Sequence, residues 1–388
     1  MNLSILLVVV AAAAVPRVEI STLSGDEFSG NLTSITADTW KLDVDGKPVE
    51  VAGAQILATR FFVAGQTAGE KESLELSLTD GSLLHLKTAL ADPKEIHVTS
   101  DVTGDMKIPR NFVQSLRFEK APTSVDDSWK ELVARTARQD MIVVRKNDVL
   151  DFVEGVIGEI TETQVNVLLD GENIPVNRDR VFGLIFYQRE PGKAGSAARV
   201  QLLNGDLLQA RKVTSSAGTS VELALPCGPE VSVAADQIKA VDFSSGRLAW
   251  IDEVAPREKK HEFEVIDVVP DYRVNRDIYG SRLKVGKRVF DRGVCIRSKT
   301  LVRYRLDGDF NRFQAWMGIQ HGYAGDVNVT ISCDGKELFS GAVEPNAEAQ
   351  RLDLDVSGKY SLEVLVDFGK VKSDIGDHLV LGDARLLK

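Results

Sequence analysis

The stretch DRGVCIRSKTLVRYRLDGDFNRFQAWMGIQ, residues 291–320, decides the fold class of the chain. Its short runs of alternating apolar and polar residues, separated by Ser-Lys and Asp-Gly turns, are typical of half-buried antiparallel strands. In the last run the apolar residues occupy every second position, at Phe313, Ala315, Met317 and Ile319. Trp316 therefore faces the opposite side of its strand. The stretch predicts an all-β domain.

Two later segments continue this pattern. They read VNVTISCDGKELFSG at residues 327–341 and GDHLVLGDARLL at residues 376–387. The first contains a tight Asp-Gly turn, and the second opens on an Asp-His pair before its strand. With these motifs, residues 247–388 resemble the NPCBM family of carbohydrate-binding modules, first noticed beside glycoside hydrolase family 98 catalytic domains. The resemblance implies a galactose-binding-like jelly-roll β-sandwich that binds sugar.

The chain departs from the family's pattern at two positions. Leu381 stands where the family usually has tryptophan shortly after the Asp-His pair, and Cys295 stands where it often has histidine. Leucine fills an apolar site adequately, so the implied fold is unaffected. The change at position 381 leaves open a sandwich that has lost its sugar site.

The first 246 residues contain an internal repeat. Similar passages begin at Val18, Leu74, Met141 and Arg199, and a spacing of about 55 to 65 residues indicates duplicated units. Short strands joined by Gly- or Asn-containing turns predict small antiparallel barrels, similar to SH3-like or Sm-like barrels. We expect four such β-barrel repeats, at residues 16–63, 74–120, 140–190 and 198–246.

A helical linker is predicted at residues 121–139, between the second and third repeats. Its Ser and acidic residues suit a helix start, and Trp129, Leu132 and Val133 then share one face. We expect this face to pack against the protein, with contact to a partner as the alternative.

Residues 1–15 are interpreted as an export signal peptide. Their apolar core is shorter than the roughly 20 residues that a membrane-spanning helix needs, and Ala11 to Ala14 supply a small-residue cleavage pattern. Because no Lys or Arg precedes the apolar core, a buried first strand is the alternative. The expected location is periplasmic or extracellular, with no transmembrane segment in the mature chain.

The net charge of −10 is spread along the sequence without a basic stripe. Nucleic acids and anionic membrane surfaces are therefore excluded as expected partners. Cys295 and Cys333 both fall in predicted strands and could pair if they were adjacent, but buried free thiols are favoured for all three cysteines. With five histidines and no C-x-x-C motif, the sequence offers little material for a zinc site.

Catalytic motifs are absent from the sequence. It contains no G-x-S-x-G, H-E-x-x-H, Walker or G-x-G-x-x-G motif of the kind that opens a helix. Paired acids such as Asp126 with Asp127 or Asp353 with Asp355 are expected by chance among 57 acidic residues. We predict a protein that is not an enzyme.

The predicted ligand-binding residues lie in the last domain. The loop HGYAGD, residues 321–326, combines groups that hydrogen-bond hydroxyls or stack on a sugar ring. Trp316 is a second candidate, either as an exposed stacking platform or as a packed side chain. The predicted set comprises Trp316, His321, Tyr323, Asp326, Asp377 and His378.

The closing segment is also rich in carboxylates. Asp374, Asp377 and Asp383 supply the oxygen ligands that Ca²⁺ prefers, so they are the predicted ligands of a structural Ca²⁺. The alternative is a solvated acidic turn in which Asp377 caps the last strand. No other cofactor is expected.

Two functions from different classes follow. The leading hypothesis is an exported, non-catalytic protein that binds a polysaccharide or glycoconjugate through the terminal domain. The competing hypothesis is an envelope scaffold that binds proteins through its repeats and has lost its sugar site.

Overall fold

The computed structural model describes residues 15–62, 74–119, 123–135, 138–188, 192, 195–262 and 270–388. The chain divides into two compact units, Met1–Ser245 and Gly246–Lys388. The predicted signal peptide, apart from Val15, lies outside the described residues, as do residues 63–73.

The N-terminal unit is built from 22 short strands within the described residues. The first segment contains β1 (Arg17–Thr22), β2 (Glu27–Ile35), β3 (Thr39–Val44), β4 (Lys47–Ala52) and β5 (Ile56–Phe62). The second contains β6 (Leu74–Leu78), β7 (Leu83–Leu86), β8 (Thr88–Ala91), β9 (Glu95–Ser100), β10 (Gly104–Pro109) and β11 (Val113–Arg117).

The third and fourth segments follow the same order. The third contains β12 (Asp140–Lys146), β13 (Val149–Ile160), β14 (Gln164–Leu169), β15 (Glu172–Asn177) and β16 (Gly183–Ile185). The fourth contains β17 (Ala198–Leu202), β18 (Leu207–Ala210), β19 (Lys212–Thr214), β20 (Ser220–Ala224), β21 (Glu230–Ala234) and β22 (Ile238–Asp242).

All four segments share one pairing pattern. The first strand of each segment pairs antiparallel with both its second and its last strand. A short 3₁₀ turn precedes the last strand each time, at Gly53–Gln55, Arg110–Phe112, Arg178–Arg180 and Ala235–Gln237. The last strands also pair with each other, β5 with β22 and β11 with β16.

The all-β class is confirmed. The segments are hydrogen-bonded into one 19-stranded network and a three-stranded sheet, β19-β20-β21. Among the described strands, none of the sheets closes into a barrel. The hydrogen bonding thus joins the four segments and does not show four separate small barrels. The boundaries of the repeats stay a prediction.

The helix α1 spans Thr123–Ala134, inside the predicted linker. Trp129, on its apolar face, is 5% exposed and packs edge-on against Phe182, with 5.5 Å between the ring centroids. The predicted apolar face is thus part of a small core.

The C-terminal unit is a sandwich of two sheets. Sheet I has the order β25-β28-β35-β30-β33, with β23 also paired to β35, and sheet II has the order β24-β29-β34-β31-β32. The strands of sheet I are β23 (Leu248–Trp250), β25 (Tyr272–Val274), β28 (Gly293–Arg297), β30 (Arg312–Ile319), β33 (Gln350–Asp355) and β35 (His378–Leu387). Those of sheet II are β24 (Glu258–His261), β29 (Thr300–Arg305), β31 (Val327–Cys333), β32 (Lys336–Val343) and β34 (Ser361–Phe368).

The predicted apolar stripe lies in the core between the sheets. Phe313, from sheet I, and Tyr304, from sheet II, are each 1% exposed in this core. Leu381 lies there as well and is also 1% exposed. The departure from the family pattern at position 381 therefore affects packing between the sheets.

A hairpin of β26 (Leu283–Val285) and β27 (Arg288–Phe290), named here the cover hairpin, packs on the outer face of sheet I. Cys295 is buried beneath it, whereas Cys333 lies in the core between the sheets. The two thiols are on opposite sides of sheet I, and all three cysteines are free. Burial raises the pKa of Cys295 to about 12, so this thiol is not reactive.

Candidate functional site

Three loops meet at one end of the sandwich, at residues 277–281, 320–326 and 369–378, and are named here the loop cluster. They follow or precede the ends of β25, β30, β31, β34 and β35. The main-chain amides of Lys370 and Val371 donate to the Asp326 carboxylate at 2.5 and 3.3 Å. This carboxylate therefore fastens the third loop to the second.

Glycine permits the closest approach within the loop cluster. A Cβ atom on Gly325 would lie 2.3 Å from Asp377 Oδ1 and 2.4 Å from the carbonyl carbon of Gly376. Separations below 3.0 Å do not occur for real Cβ atoms, so only glycine fits at position 325 without displacing the backbone.

Three aromatic rings pack together in the loop cluster. Tyr279 and Tyr323 are stacked, with 6.1 Å between the ring centroids and 16° between the ring planes. His378 is tilted against both rings, 4.4 Å from Tyr323 and 5.5 Å from Tyr279. Tyr279 is 61% exposed, so this stacked pair presents aromatic surface to solvent.

Tyr279 is positioned by a turn that the sequence creates locally. The Asp277 carboxylate accepts hydrogen bonds from the main-chain amides of Tyr279 at 3.0 Å and Ser281 at 2.7 Å. Such a side-chain-to-backbone turn fixes the chain direction without a strand. Asp277 is 1% exposed, and its structural role is clear from these bonds.

His378 forms the floor beneath the tyrosines and is 3% exposed. Burial, together with the positive charge of Arg297, lowers the pKa of His378 to about 4. The imidazole is therefore neutral at pH 7 and can both donate and accept a hydrogen bond. Its Nδ1 atom is buried and has no hydrogen-bond partner within the described residues.

Asp377 lies directly before this histidine and is 1% exposed. Burial raises the pKa of Asp377 to about 6, and the negative charge of Asp326 acts in the same direction. Its Oδ2 atom is also buried without a partner in the described part of the chain. Two adjacent side chains thus hold unpartnered polar atoms under the loop cluster.

The remaining predicted loop residue, His321, lies at the rim. It is exposed, and its main-chain amide donates to the carbonyl of Lys284 at 2.7 Å. The neighbouring Gln320 is buried, and its amide group bonds to main-chain atoms of Arg282 and Lys284 at 3.0 Å each. These bonds join the second loop to the cover hairpin.

Trp316 is not part of the loop cluster. It lies under the cover hairpin with Val285 and Phe290, and the Arg288 guanidinium lies over its ring, 3.9 Å from the ring centroid. Between Trp316 and the loops, Val285 packs onto Gly318 so closely that a Cβ atom there would lie 2.1 Å from Val285 Cγ1. The hairpin therefore covers the face on which a sugar would stack.

Trp316→Ala should destabilise the C-terminal unit by about 2–3 kcal/mol, less than a fully buried tryptophan because the ring is only half-buried. Any glycan bound by the loop cluster should bind with unchanged affinity. Thermal melts and binding curves of the full-length variant test both expectations. Reduced binding at unchanged stability would place Trp316 in the ligand site instead.

The three predicted calcium ligands do not form a cluster. The Asp374 carboxylate is paired with Arg297 at 2.9 Å, and Asp377 is buried behind the loops. Asp383 lies in β35, six residues after Asp377, with positive φ, and its amide donates to the carbonyl of Arg292 at 3.0 Å. Because β35 carries Asp383 away from the loops, the structure does not bring the three carboxylates together, and the Ca²⁺ site stays a prediction.

Two opposed protonation effects are built into the Asp377-His378 pair. The folded protein favours protonated Asp377, so this residue lowers the free energy of unfolding as pH rises from about 4 to 6. The folded protein favours neutral His378, so this residue lowers the free energy of unfolding as pH falls from about 6.5 to 4. Each effect is at most about 3 kcal/mol, since one pKa unit corresponds to about 1.4 kcal/mol.

The two single variants should therefore change the pH dependence in opposite directions. Relative to wild type, Asp377→Asn should become less stable on acidification from pH 6.5 to 4, because only the histidine cost remains. His378→Gln should become more stable over the same interval. Urea unfolding at pH 4, 5, 6 and 7 measures these differences, and difference curves of equal sign would contradict the assignment.

Sequence reasoning missed Tyr279, Arg297 and the exposed apolar residues of the third loop. Val371 is 71% exposed and Ile375 is 83% exposed. The short motif Asp277-Ile278-Tyr279-Gly280-Ser281 was a readable turn signal, but only the fold shows that this turn meets the loop at residues 320–326.

The C-terminal unit thus combines a two-sheet sandwich with an aromatic pair on its end loops. The model of the NPCBM/NEW2 domain family matches residues 247–387. The C-terminal unit is thus an NPCBM domain, as the sequence motifs had indicated.

Solved structures similar to the chain include three clostridial or streptococcal examples. CBM51 from Clostridium perfringens GH95 in complex with methyl-galactose is 17% identical, with a TM-score of 0.32 over 36% of this chain and 99% of that one. CBM51-2 of C. perfringens ZmpB, in complex with GlcNAc and with INT domains, is 13% identical, with a TM-score of 0.33 over 58% and 43%. Tandem CBM51 modules of Sp3GH98 from Streptococcus pneumoniae are 14% identical, with a TM-score of 0.31 over 81% and 88%.

No curated protein matches the chain. Among the described residues, no helix has the length and apolar character needed to cross a membrane.

Proposed function

We propose that this protein binds a glycan through the loop cluster of its C-terminal unit, without chemical turnover. The observation that carries the proposal is the exposed Tyr279–Tyr323 stack over the buried His378 imidazole, at the end of an NPCBM domain. The aromatic surface and the hydrogen-bonding groups lie within one cluster, which is the combination a sugar needs.

The chemistry of the cluster suits a pyranose ring. The apolar face of a sugar stacks on tyrosine, while its hydroxyl groups need neutral partners that both donate and accept. The lowered pKa of His378 keeps its imidazole neutral at pH 7. An unpartnered buried nitrogen calls for a partner such as an ordered water or a ligand hydroxyl.

The carboxylates around the cluster support binding without catalysis. Glycoside hydrolysis needs an acid and a second carboxylate facing each other across the substrate. Here Asp277 and Asp326 accept main-chain amides, and Asp374 is paired with Arg297. These three groups are committed to structure, which favours a binding module.

The buried position of Leu381 removes one argument for the scaffold alternative. Its side chain contacts the core between the sheets, so replacing a tryptophan there does not by itself remove a stacking surface from the loops. We further propose that the protein works outside the cytoplasm, where polysaccharides and glycoconjugates are exposed. The apolar stretch at residues 1–15, interpreted as an export signal peptide, supports this location.

A glycan array probed with the full-length protein tests the proposal. We expect binding to one class of plant, algal or bacterial polysaccharide, and loss of that signal in the Tyr279→Ala/Tyr323→Ala double variant. Silence across the array, or signals that the double variant retains, would overturn the proposal and favour the scaffold function.

A further inference from the structure

A cluster of metal-ligating side chains lies in the N-terminal unit, far along the sequence from the loop cluster. Asp92, Glu95 and His97 each offer one ligand atom, and these atoms all lie within 4.8 Å of one another. Within the described part of the chain this is the only group of three such side chains. It combines one imidazole with two carboxylates.

The local sequence builds this cluster at the turn between β8 and β9. Asp92 Oδ1 accepts the main-chain amides of Lys94 at 2.7 Å and Glu95 at 2.9 Å, which fixes the carboxylate and leaves Oδ2 for another contact. In β9 every second residue is buried, so Glu95 and His97 project from the same face.

The distances match those between ligands of a small divalent cation. His97 Nε2 lies 3.4 Å from Asp92 Oδ2 and 3.9 Å from Glu95 Oε2. Bonds of about 2.0–2.2 Å in a tetrahedral zinc site place neighbouring ligand atoms about 3.4 Å apart. Small side-chain rotations therefore suffice to bring all three atoms around one ion.

His97 Nε2 faces both carboxylates of the cluster. The side chain is 42% exposed, and the nitrogen pairs with Asp92 Oδ2 at 3.4 Å. A metal ion accepts the nitrogen lone pair and neutralises the carboxylates at the same time.

The cluster also has an open side with further oxygen donors. A cavity of about 540 Å³ is lined by Asp92 and His97, by Glu159 at the end of β13, and by Thr161 and Glu162 of the β13–β14 connection. Sites with three protein ligands and an accessible fourth position bind water or a small ligand there. The extra acidic groups favour a cation over an anion in this cavity.

We propose that Asp92, Glu95 and His97 form a divalent-metal site, with Zn²⁺ the ion that best fits one imidazole and two carboxylates at these distances. The fourth position faces the cavity. The proposed ligands come from one turn and one strand without any cysteine, so the site does not need the C-x-x-C motif that the sequence lacks.

Isothermal titration of ZnCl₂ into the metal-free full-length protein tests the site. We expect one Zn²⁺ per chain, and His97→Ala and Glu95→Gln should each weaken binding at least about tenfold, since loss of an outer-shell partner already costs about that much. His261→Ala is the matched control, since it removes a histidine of the C-terminal unit and should leave the affinity unchanged. Circular dichroism and melting curves verify that each variant is folded.

Co²⁺ substitution gives a second readout, because a low-symmetry site with nitrogen and oxygen ligands produces visible d–d absorption that His97→Ala should abolish. Three results would overturn the proposal: no Zn²⁺ bound, equal affinity in His97→Ala and wild type, or equal weakening in His261→Ala. A site that takes Ca²⁺ but not Zn²⁺ would also overturn it, since Ca²⁺ does not require the imidazole.

Discussion

Replacing Tyr323 by alanine should weaken glycan binding about tenfold, equivalent to about 1.4 kcal/mol. The ring stacks on Tyr279 and lies 4.4 Å from the His378 ring, so its removal takes away a sugar contact and the support of two neighbours. A single aromatic contact contributes about 1 kcal/mol, and the lost positioning adds to it. Titration of the glycan identified on the array into the full-length variant measures the change.

Tyr360→Ala is the matched control for this prediction. Tyr360 is 67% exposed and lies at the turn before β34, where its main-chain amide donates to Asp334, at the opposite end of the sandwich. Its removal should leave the affinity unchanged. Equal effects of the two variants would show that binding does not depend on the loop cluster.

Gly325→Ala should have the larger effect on stability and should abolish binding. The new methyl group would lie 2.3 Å from Asp377 Oδ1, 2.4 Å from the Gly376 carbonyl carbon and 2.5 Å from the Asp377 amide nitrogen. Two of these atoms are backbone and cannot rotate away, so the second and third loops must separate. Overpacking of this kind costs about 1–3 kcal/mol, and we expect the upper end of that range.

The melting temperature of the C-terminal unit should fall by about 5–10 °C in Gly325→Ala. Gly341→Ala provides the comparison, because its Cβ atom would first meet the end of the Phe339 side chain at 3.1 Å, where a small rotation relieves the contact. If both variants have the same melting temperature and the same glycan affinity, the close approach of the loops at Gly325 is not needed for the site.

The strands of the C-terminal unit could be predicted from the sequence because their signal is local. The alternation of Phe313, Ala315, Met317 and Ile319 is preserved as the buried face of β30, and Trp316 does face the other side. What covers that other side could not be predicted. The cover hairpin depends on contacts between β26 and β30, and no local pattern reveals which distant segment packs on a strand.

The candidate site was predicted only in part, for the same reason. The loop at residues 321–326 and the Asp377-His378 pair were recognisable as polar, Gly-containing turns, and the structure brings them together. Tyr279 joins them only because an Asp277 turn, separated by about forty residues, folds to the same end. Asp383 is the reverse case, because it is near Asp377 in sequence but distant in space. Six residues along an extended strand separate the two residues by about 20 Å.

The repeats illustrate a further limit. Periodicity along the chain predicts short strands and turns, and four segments with a shared strand pairing are present. The last strand of each segment has one edge whose main-chain groups are free to pair with another segment. β5 of the first segment pairs there with β22 of the fourth, and no pattern within one segment can specify that partner.

The most direct measurement is a crystal structure of the full-length protein with the glycan that the array identifies. The account predicts electron density for one pyranose ring stacked on Tyr279 and Tyr323, with a hydroxyl within hydrogen-bonding distance of the His378 ring. Density at another surface, such as the cover hairpin beside Trp316, or an empty loop cluster at saturating glycan would contradict the assignment of the binding site.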